Sequence, residues 1–238
     1  MSGAPLVVLD IGETLVNGPS RGPASRIAKA LGLDFEQKRT LHVALMTEPF
    51  ASPAEVHEFA RGALGDLGPR AERAISDVWA AQETEAEPVR GALEALAALH
   101  DSGVRLALLS NVWLPYLESA RRHFGEFFDH HVPERLQVFS FRAGVAKPDP
   151  AAFRRVLDAA GAAPANAVMI GDSLEKDVEP AAALGMGTVW VRAEDGEPAI
   201  NEGLVGPSWI PPIWAVRSIA EVDLELVTRA VAAAAAQG

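Results

Sequence analysis

Asp10 follows the apolar run Leu6-Val7-Val8-Leu9, and Asp172 stands just beyond a second apolar run, residues 167–170. A carboxylate at the end of a strand can attack a phosphorus centre in line and form an acyl phosphate, which divides one difficult step into two easier ones. A second carboxylate facing the first gives Mg²⁺ the few hard oxygen ligands it takes from a protein. Asp177 falls in the first turn of the helix that follows, where the helix dipole favours a carboxylate and where it can brace a metal site from behind. Ser110 and Asn111 end another apolar run, residues 104–109, and offer hydroxyl and amide donors. Lys147 adds a point positive charge for the same anionic oxygens. Each of these residues has a plainer explanation when taken singly. Asp10 and Asp172 could cap turns or helices, Ser110-Asn111 could be a side-chain-stabilised turn, and Lys147 could be a solvated loop lysine. Their joint occurrence at the ends of strand-like runs favours an electrostatic cradle for a transferring phosphoryl group.

Continuous apolar runs with β-branched residues are the signature of strands covered on both faces of a parallel sheet. Residues 6–9, 104–109, 167–170 and 188–191 fit this description, and 136–139 fits it more weakly. Helical patterns fill the intervals: residues 89–100 stop at Asp101-Ser102-Gly103, 150–160 at Gly161, and 174–184 at Gly185, glycine past the last turn being the usual stop. The alternation predicts an α/β fold, a doubly wound parallel sheet whose ligands lie outside the C-terminal strand ends. Asp10, Ser110 and Asp172 all occupy such ends. Between about residues 16 and 88 the alternation lapses. No strand is expected there, and turn signals around 19–23, 47–53 and 65–69 divide the stretch into four helices, with Thr84-Glu85-Ala86-Glu87-Pro88 as the return linker. The chain therefore divides into a core, residues 1–16 and 89–238, and a helical cap, residues 17–88, that closes over the site and excludes water. The alanine-rich tail from Val222 reads as a final surface helix.

Four segments in this order resemble the haloacid dehalogenase superfamily: Leu9-Asp10-Ile11-Gly12-Glu13-Thr14-Leu15, Leu109-Ser110-Asn111, Lys147-Pro148-Asp149-Pro150, and Ile170-Gly171-Asp172-Ser173 with Asp177. The resemblance implies a Rossmann-like core with an inserted cap, of the phosphatase-like branch. It implies Asp10 as nucleophile, with Ser110, Asn111 and Lys147 holding the phosphoryl oxygens. It also implies Mg²⁺ bound by Asp10, the Gly12 carbonyl and Asp172, with Asp177 in support. One position departs from that pattern. Phosphatases of the superfamily carry a second Asp two residues after the nucleophile, as general acid and base; here that residue is Gly12. General acid–base help is worth about 10²–10⁴-fold. The proton could instead come from Glu13, from a cap residue or from the substrate itself, or the leaving group could need none. Dehalogenases place an aromatic residue at this position and use no metal; phosphonatases place a small one and use a cap lysine, although Lys29 and Lys38 do not sit at the expected spacing. A binding protein that has kept the site without turnover is the remaining alternative.

The formal net charge of −11, with no basic stripe, argues against a nucleic-acid partner. Cysteine is absent, which excludes disulfides, thiolate metal sites and a thiol nucleophile. No signal peptide is expected at an N-terminus whose apolar run is interrupted at once by Asp10, and no run approaches the roughly 20 apolar residues of a membrane span. The expectation is a cytoplasmic, soluble hydrolase acting on a small phosphorylated molecule, as monomer or homodimer. His130-His131 reads as solvated loop. Trp113 lines the site's mouth or packs on the cap, and Lys38, Arg39 and His42 read as a solvated helix face.

Overall fold

The computed structural model describes residues 3–192 and 213–236; the remaining parts of the expected core, residues 1–2, 193–212 and 237–238, lie outside the described residues. The chain enters through β1 (Leu6–Leu9), whose four side chains are all buried, as an apolar run covered on both faces requires. A short strand, β2 (Val16–Asn17), leads out to the cap: α1 (Pro23–Leu31), α2 (Phe35–Thr47), α3 (Pro53–Leu64) and α4 (Ala71–Gln82). The return runs through β3 (Glu87–Pro88). The core then alternates through α5 (Ala92–Asp101), β4 (Arg105–Ser110), α6 (Leu114–His131), β5 (Gln137–Phe139), α7 (Ser140–Ala143), α8 (Pro150–Ala160) and β6 (Ala167–Gly171). It finishes with α9 (Glu179–Ala183), β7 (Gly187–Val191), β8 (Ile213–Val216) and α10 (Leu224–Ala235).

Six parallel strands form one sheet in the order β5-β4-β1-β6-β7-β8. The chain steps from β1 outward to β4 and β5, then crosses back to β6 on the other side. The reversal leaves β4, β1 and β6 side by side with their C-terminal ends together, the crevice where open α/β sheets place ligands. The expected doubly wound sheet is thus present.

Local chemistry sets the helix ends. Asp34 and Gln37 form a reciprocal capping box at the start of α2, where Asp34 Oδ1 accepts from the Gln37 N–H at 2.8 Å and Gln37 Oε1 from the Asp34 N–H at 3.1 Å. Ser52 caps α3 ahead of Pro53, and α8 runs from Pro150, behind the cap Asp149, to Gly161 at φ 58°. The four cap helices enclose their own apolar cluster, including Ile27, Leu41, Leu45, Ile75 and Trp79. Trp113, at the start of α6, enters that cluster from the core.

Several expectations need correction. The stretch expected to hold no strand begins and ends in an antiparallel pair, Val16 opposite Pro88 and Asn17 opposite Glu87. Two residues leave no periodicity to read; the pairing arises because the chain leaves and re-enters the core at one place. The weak run 136–139 starts with a 3-10 turn, Glu134–Leu136, and only Gln137–Phe139 is strand. The helix expected from residue 174 opens with a π-helical turn, Leu174–Val178. His130 and His131 close α6 rather than occupying a loop, because the buried stripe Leu117, Ala120, Phe124 and Phe128 carries the helix up to Val132, whose extended backbone precedes Pro133. The tail helix α10 is not merely superficial, since Leu226, Val227, Ala230 and Ala234 are buried.

Candidate active site

Three neighbouring strand ends supply the floor of the site. Asp10 leaves β1 with its backbone N–H bonded to the carbonyl of Ile170 on β6 at 2.9 Å, which locks the two strand ends together. Asp172 follows β6 directly. Asp10 and Asp177 are buried, Asp172 is half-buried, and one carboxylate oxygen from each of the three lies within 4.8 Å of the others.

Lys147 supplies the counter-charge. Its side chain is 2% exposed, and its Nζ lies 2.9 Å from Asp10 Oδ1 and 2.5 Å from Asp177 Oδ1. Burial alone would lower its pKa, but the charges of Asp10 and Asp177 outweigh that and raise it, so the ammonium form holds. Asn111 fixes where this lysine stands. Its Oδ1 accepts from the Lys147 N–H at 2.8 Å and its Nδ2 donates to the Lys147 carbonyl at 2.7 Å. The amide expected to face a ligand therefore brackets the lysine backbone, just ahead of a cis Lys147-Pro148 bond. Ser110 ends β4 buried at 3% exposure and is not among the residues that line the cavity.

Asp177 also holds the loop after β6, because its Oδ2 accepts from the Ser173 N–H at 3.0 Å. A Cβ on Gly171 would lie 2.5 Å from the Asp177 carboxyl carbon, so only glycine lets this carboxylate tuck under the strand end. Trp190 on β7, which the sequence did not single out, donates from Nε1 to the Asp172 carbonyl at 2.7 Å and fixes that residue's backbone.

One lysine does not balance three carboxylates. Burial first, then the charges of Asp10 and Asp177, push Asp172 up to about 7; burial and Asp10 push Asp177 up to about 6. Converging carboxylates with excess negative charge and raised proton affinity are what a hard divalent cation neutralises, so the donor set fits Mg²⁺. The sign of the linkage gives a test. Folded-state pKa values above the usual 3.8 mean that the native chain holds more protons than the unfolded one between about pH 4 and 7, so these groups cost stability as pH rises through that window. The melting temperature in EDTA should therefore carry a falling contribution from pH 5 to 7.5 that Asp172→Asn reduces. The gain on adding Mg²⁺ should grow over the same range. A gain independent of pH would mean that the ion binds elsewhere.

Above this floor lies a cavity of about 430 Å³. Core residues Gly12, Glu13, Tyr116 and Lys176 line it, and the cap contributes Ser25, His42, Met46 and Gln82. Trp113 does both things expected of it, lining the cavity and packing edge-on against Trp79 with centroids 5.2 Å apart; its Nε1 also donates to Gln82 Oε1 at 2.9 Å. Glu13, at φ 52°, lines the cavity while its Oε1 accepts from the Gly18 N–H at 3.0 Å, so one oxygen is tied to the start of the cap. The expected solvated face of α2 divides: Arg39 pairs with Glu36 and Lys38 lies 5.5 Å above the Phe35 ring, while His42 turns to the cavity. Tyr116, Gln82, Ser25 and Lys176 carried no sequence signal, because each lies on a different element and only packing of cap on core assembles them.

A doubly wound sheet thus carries an aspartate-lysine floor beneath a helical region inserted after its first strand. The chain belongs to the haloacid dehalogenase-like hydrolase family, which it matches over residues 5–185. It is 41% identical over 106 residues to a phosphoserine phosphatase of Thermus thermophilus, a match covering 43% of this chain and 41% of that protein. It is 32% identical over 106 residues to a glyceraldehyde 3-phosphate phosphatase of Pyrococcus abyssi, covering 44% and 42%. These matches thus span about two-fifths of the length of either relative. In fold it is similar to a haloacid dehalogenase-like hydrolase from Xanthomonas campestris, at TM-score 0.61 with 23% identity and all of both chains covered. It is likewise similar to a family enzyme from Bacteroides thetaiotaomicron in complex with magnesium and inorganic phosphate, at TM-score 0.60 with 22% identity, covering 82% of this chain and 97% of that one. Among the described residues no helix is long and apolar enough to cross a membrane.

Proposed function

We propose that the chain is a Mg²⁺-dependent phosphatase that uses Asp10 as nucleophile on a small phosphorylated metabolite. The observation that carries this reading is the placement of Asp10 on the central strand, buried against an ammonium group and two further carboxylates, at the floor of a cavity of small-ligand size. A carboxylate oxygen of Asp10 attacks phosphorus while the bond to the leaving oxygen breaks; water then attacks the aspartyl phosphate, releasing inorganic phosphate and restoring the carboxylate. Lys147, held by Asn111, steadies the charge on the transferring group. Asp10, the Gly12 carbonyl and Asp172 would hold Mg²⁺, with Asp177 bracing both the ion and Lys147. The bound ion supplies positive charge for the phosphoryl oxygens and the surrounding carboxylates. Relatives of 41% and 32% identity that act on phosphoserine and on glyceraldehyde 3-phosphate are consistent with a substrate of this size.

Neither Lys29 nor Lys38 lines the cavity, which weighs against an imine route through a cap lysine. The acidic trio weighs against metal-free carbon–halogen cleavage. The test is acid quenching during turnover of ³²P-labelled acetyl phosphate with Mg²⁺, followed by peptide mapping. Label on the Asp10 peptide, absent in EDTA, is the expected result. Phosphate release without label on that peptide would exclude Asp10 as the nucleophile.

A further inference from the structure

The floor of the cavity accounts for Asp10, Asp172, Asp177 and Lys147, but an ammonium group and an imidazole at its mouth have no task in the proposed chemistry. Lys176 projects from the π-helical turn after β6, and His42 projects from α2 of the cap; both line the cavity, and both are solvent-exposed where Lys147 is buried. Neither side chain makes a hydrogen bond or ion pair with another described residue. They line the same cavity, His42 from the inserted helices and Lys176 from the core. Desolvation comes first in holding the His42 imidazolium below its usual range, and the charge of Lys176 comes next, ahead of that of Lys38, which lies one turn away on the same helix.

Lys176 presents a positive charge to the cavity and His42 an imidazole N–H that can donate a hydrogen bond, so an anion between them would be held from both sides. An anion held by both would join cap to core and favour the closed form in which water is excluded from the floor.

We propose that Lys176 and His42 form a split anion subsite, one half on the core and one on the cap, which receives a second negative group of the substrate, a carboxylate or a second phosphate, distal to the phosphoryl group on the floor. The proposal rests on the phosphatase reading for the orientation of the ligand, and it narrows the substrate class from any phosphate ester to esters with an anionic tail. Ser25 and Tyr116 line the same cavity and offer uncharged hydrogen-bonding groups to the part of the substrate in between.

Binding to the Asp10→Asn chain in saturating Mg²⁺ tests this without turnover. The calorimetric probes are ethyl phosphate, 2-phosphoglycolate and ethylene glycol bisphosphate, which carry no tail anion, a carboxylate and a second phosphate. At least one of the two tailed ligands should bind ten-fold or more tightly than ethyl phosphate, and the stronger of them identifies the tail chemistry. Lys176→Gln should reduce that preference to within about three-fold, Lys176→Arg should retain most of it, and His42→Gln should weaken it by several-fold. Ethyl phosphate affinity should change less than two-fold in all three, which separates loss of the subsite from loss of the fold. Equal binding of all three ligands, or a preference that survives both Lys176→Gln and His42→Gln, would overturn the subsite while leaving the floor intact. Absence of Mg²⁺-dependent binding by every probe, to the unsubstituted chain as well as to Asp10→Asn, together with no phosphate release from the unsubstituted chain, would overturn the phosphatase reading and the subsite with it.

Discussion

Replacing Lys147 by methionine is expected to lower phosphate release by about 10²–10³-fold, the usual effect of removing one positioned charge donor from a transition state. It should also destabilise the metal-free protein by roughly 3 kcal/mol near pH 7.5, because a buried ion pair broken on one side leaves its partner uncompensated. Methionine fills a similar volume, so the loss is electrostatic rather than a cavity. Asp177, fully buried, loses its only cation within 4 Å among the described residues, and Asp10 loses the ammonium at 2.9 Å. The deficit should shrink toward pH 5, where Asp172 and Asp177 take up protons instead of remaining charged, and Mg²⁺ should restore part of it at pH 7.5. Denaturant unfolding at the two pH values, with EDTA or Mg²⁺, measures all of this. A stability deficit that does not change with pH would indicate a packing defect and not a charge imbalance. Lys147→Arg is expected to fail as well. A planar fork cannot stand where a single point charge meets two carboxylates in a closed space.

The parts of this site legible in the sequence were those carried by strands. Leu6 to Leu9 read as a doubly covered strand because all four positions are apolar, and the same logic placed Asp10 and Asp172 at strand ends before any sheet order was known. Lys147 was legible as a residue type in a motif, but its burial was not. A lysine followed by proline normally belongs to a solvated loop; here the amide of Asn111, which lies 36 residues earlier, holds its backbone and Asp10 and Asp177 hold its ammonium group. Asn111 itself shows the limit more sharply. Its side chain has the right chemistry to grip a phosphoryl oxygen, and the structure directs it to a peptide unit, a choice that depends on where two loops meet. β8 was invisible for a related reason: Ile213 to Val216 is a four-residue run that becomes a strand by pairing with β7, Thr188 opposite Ile213 through Val191 opposite Val216. The cavity wall was the least legible part. Tyr116 lies on α6, Gln82 on α4 and Ser25 on α1, and no sequence period relates three helices of two different domains.

Gly12 raises the sharpest question about turnover, and Gly12→Asp is expected to increase the rate on alkyl phosphates by about 10²-fold or more, within the range that general acid–base catalysis contributes. The structure favours the gain over disruption. A Cβ added at Gly12 meets nothing within 4 Å, and its backbone lies outside the left-handed region, so the site neither requires glycine sterically nor resists a side chain. The new carboxyl would stand at the edge of the cavity, two residues from the nucleophile. In the wild-type chain Glu13 is the nearest substitute in sequence, but the bond from the Gly18 N–H to its Oε1 limits how far it can turn inward. Glu13→Gln keeps an oxygen for that contact and removes the acid. It should slow alkyl phosphate turnover by 10-fold or more in the wild-type background and by less than three-fold once Gly12→Asp is present, because the two groups would then serve the same proton. Acetyl phosphate, whose leaving group departs without a proton, should respond weakly to either change. Kinetics of the two single variants and the double variant on ethyl phosphate and acetyl phosphate decide the matter. Equal effects on both substrates would point to altered ion binding, whereas no gain from Gly12→Asp on either would mean that the cavity was shaped for a leaving group that needs no acid.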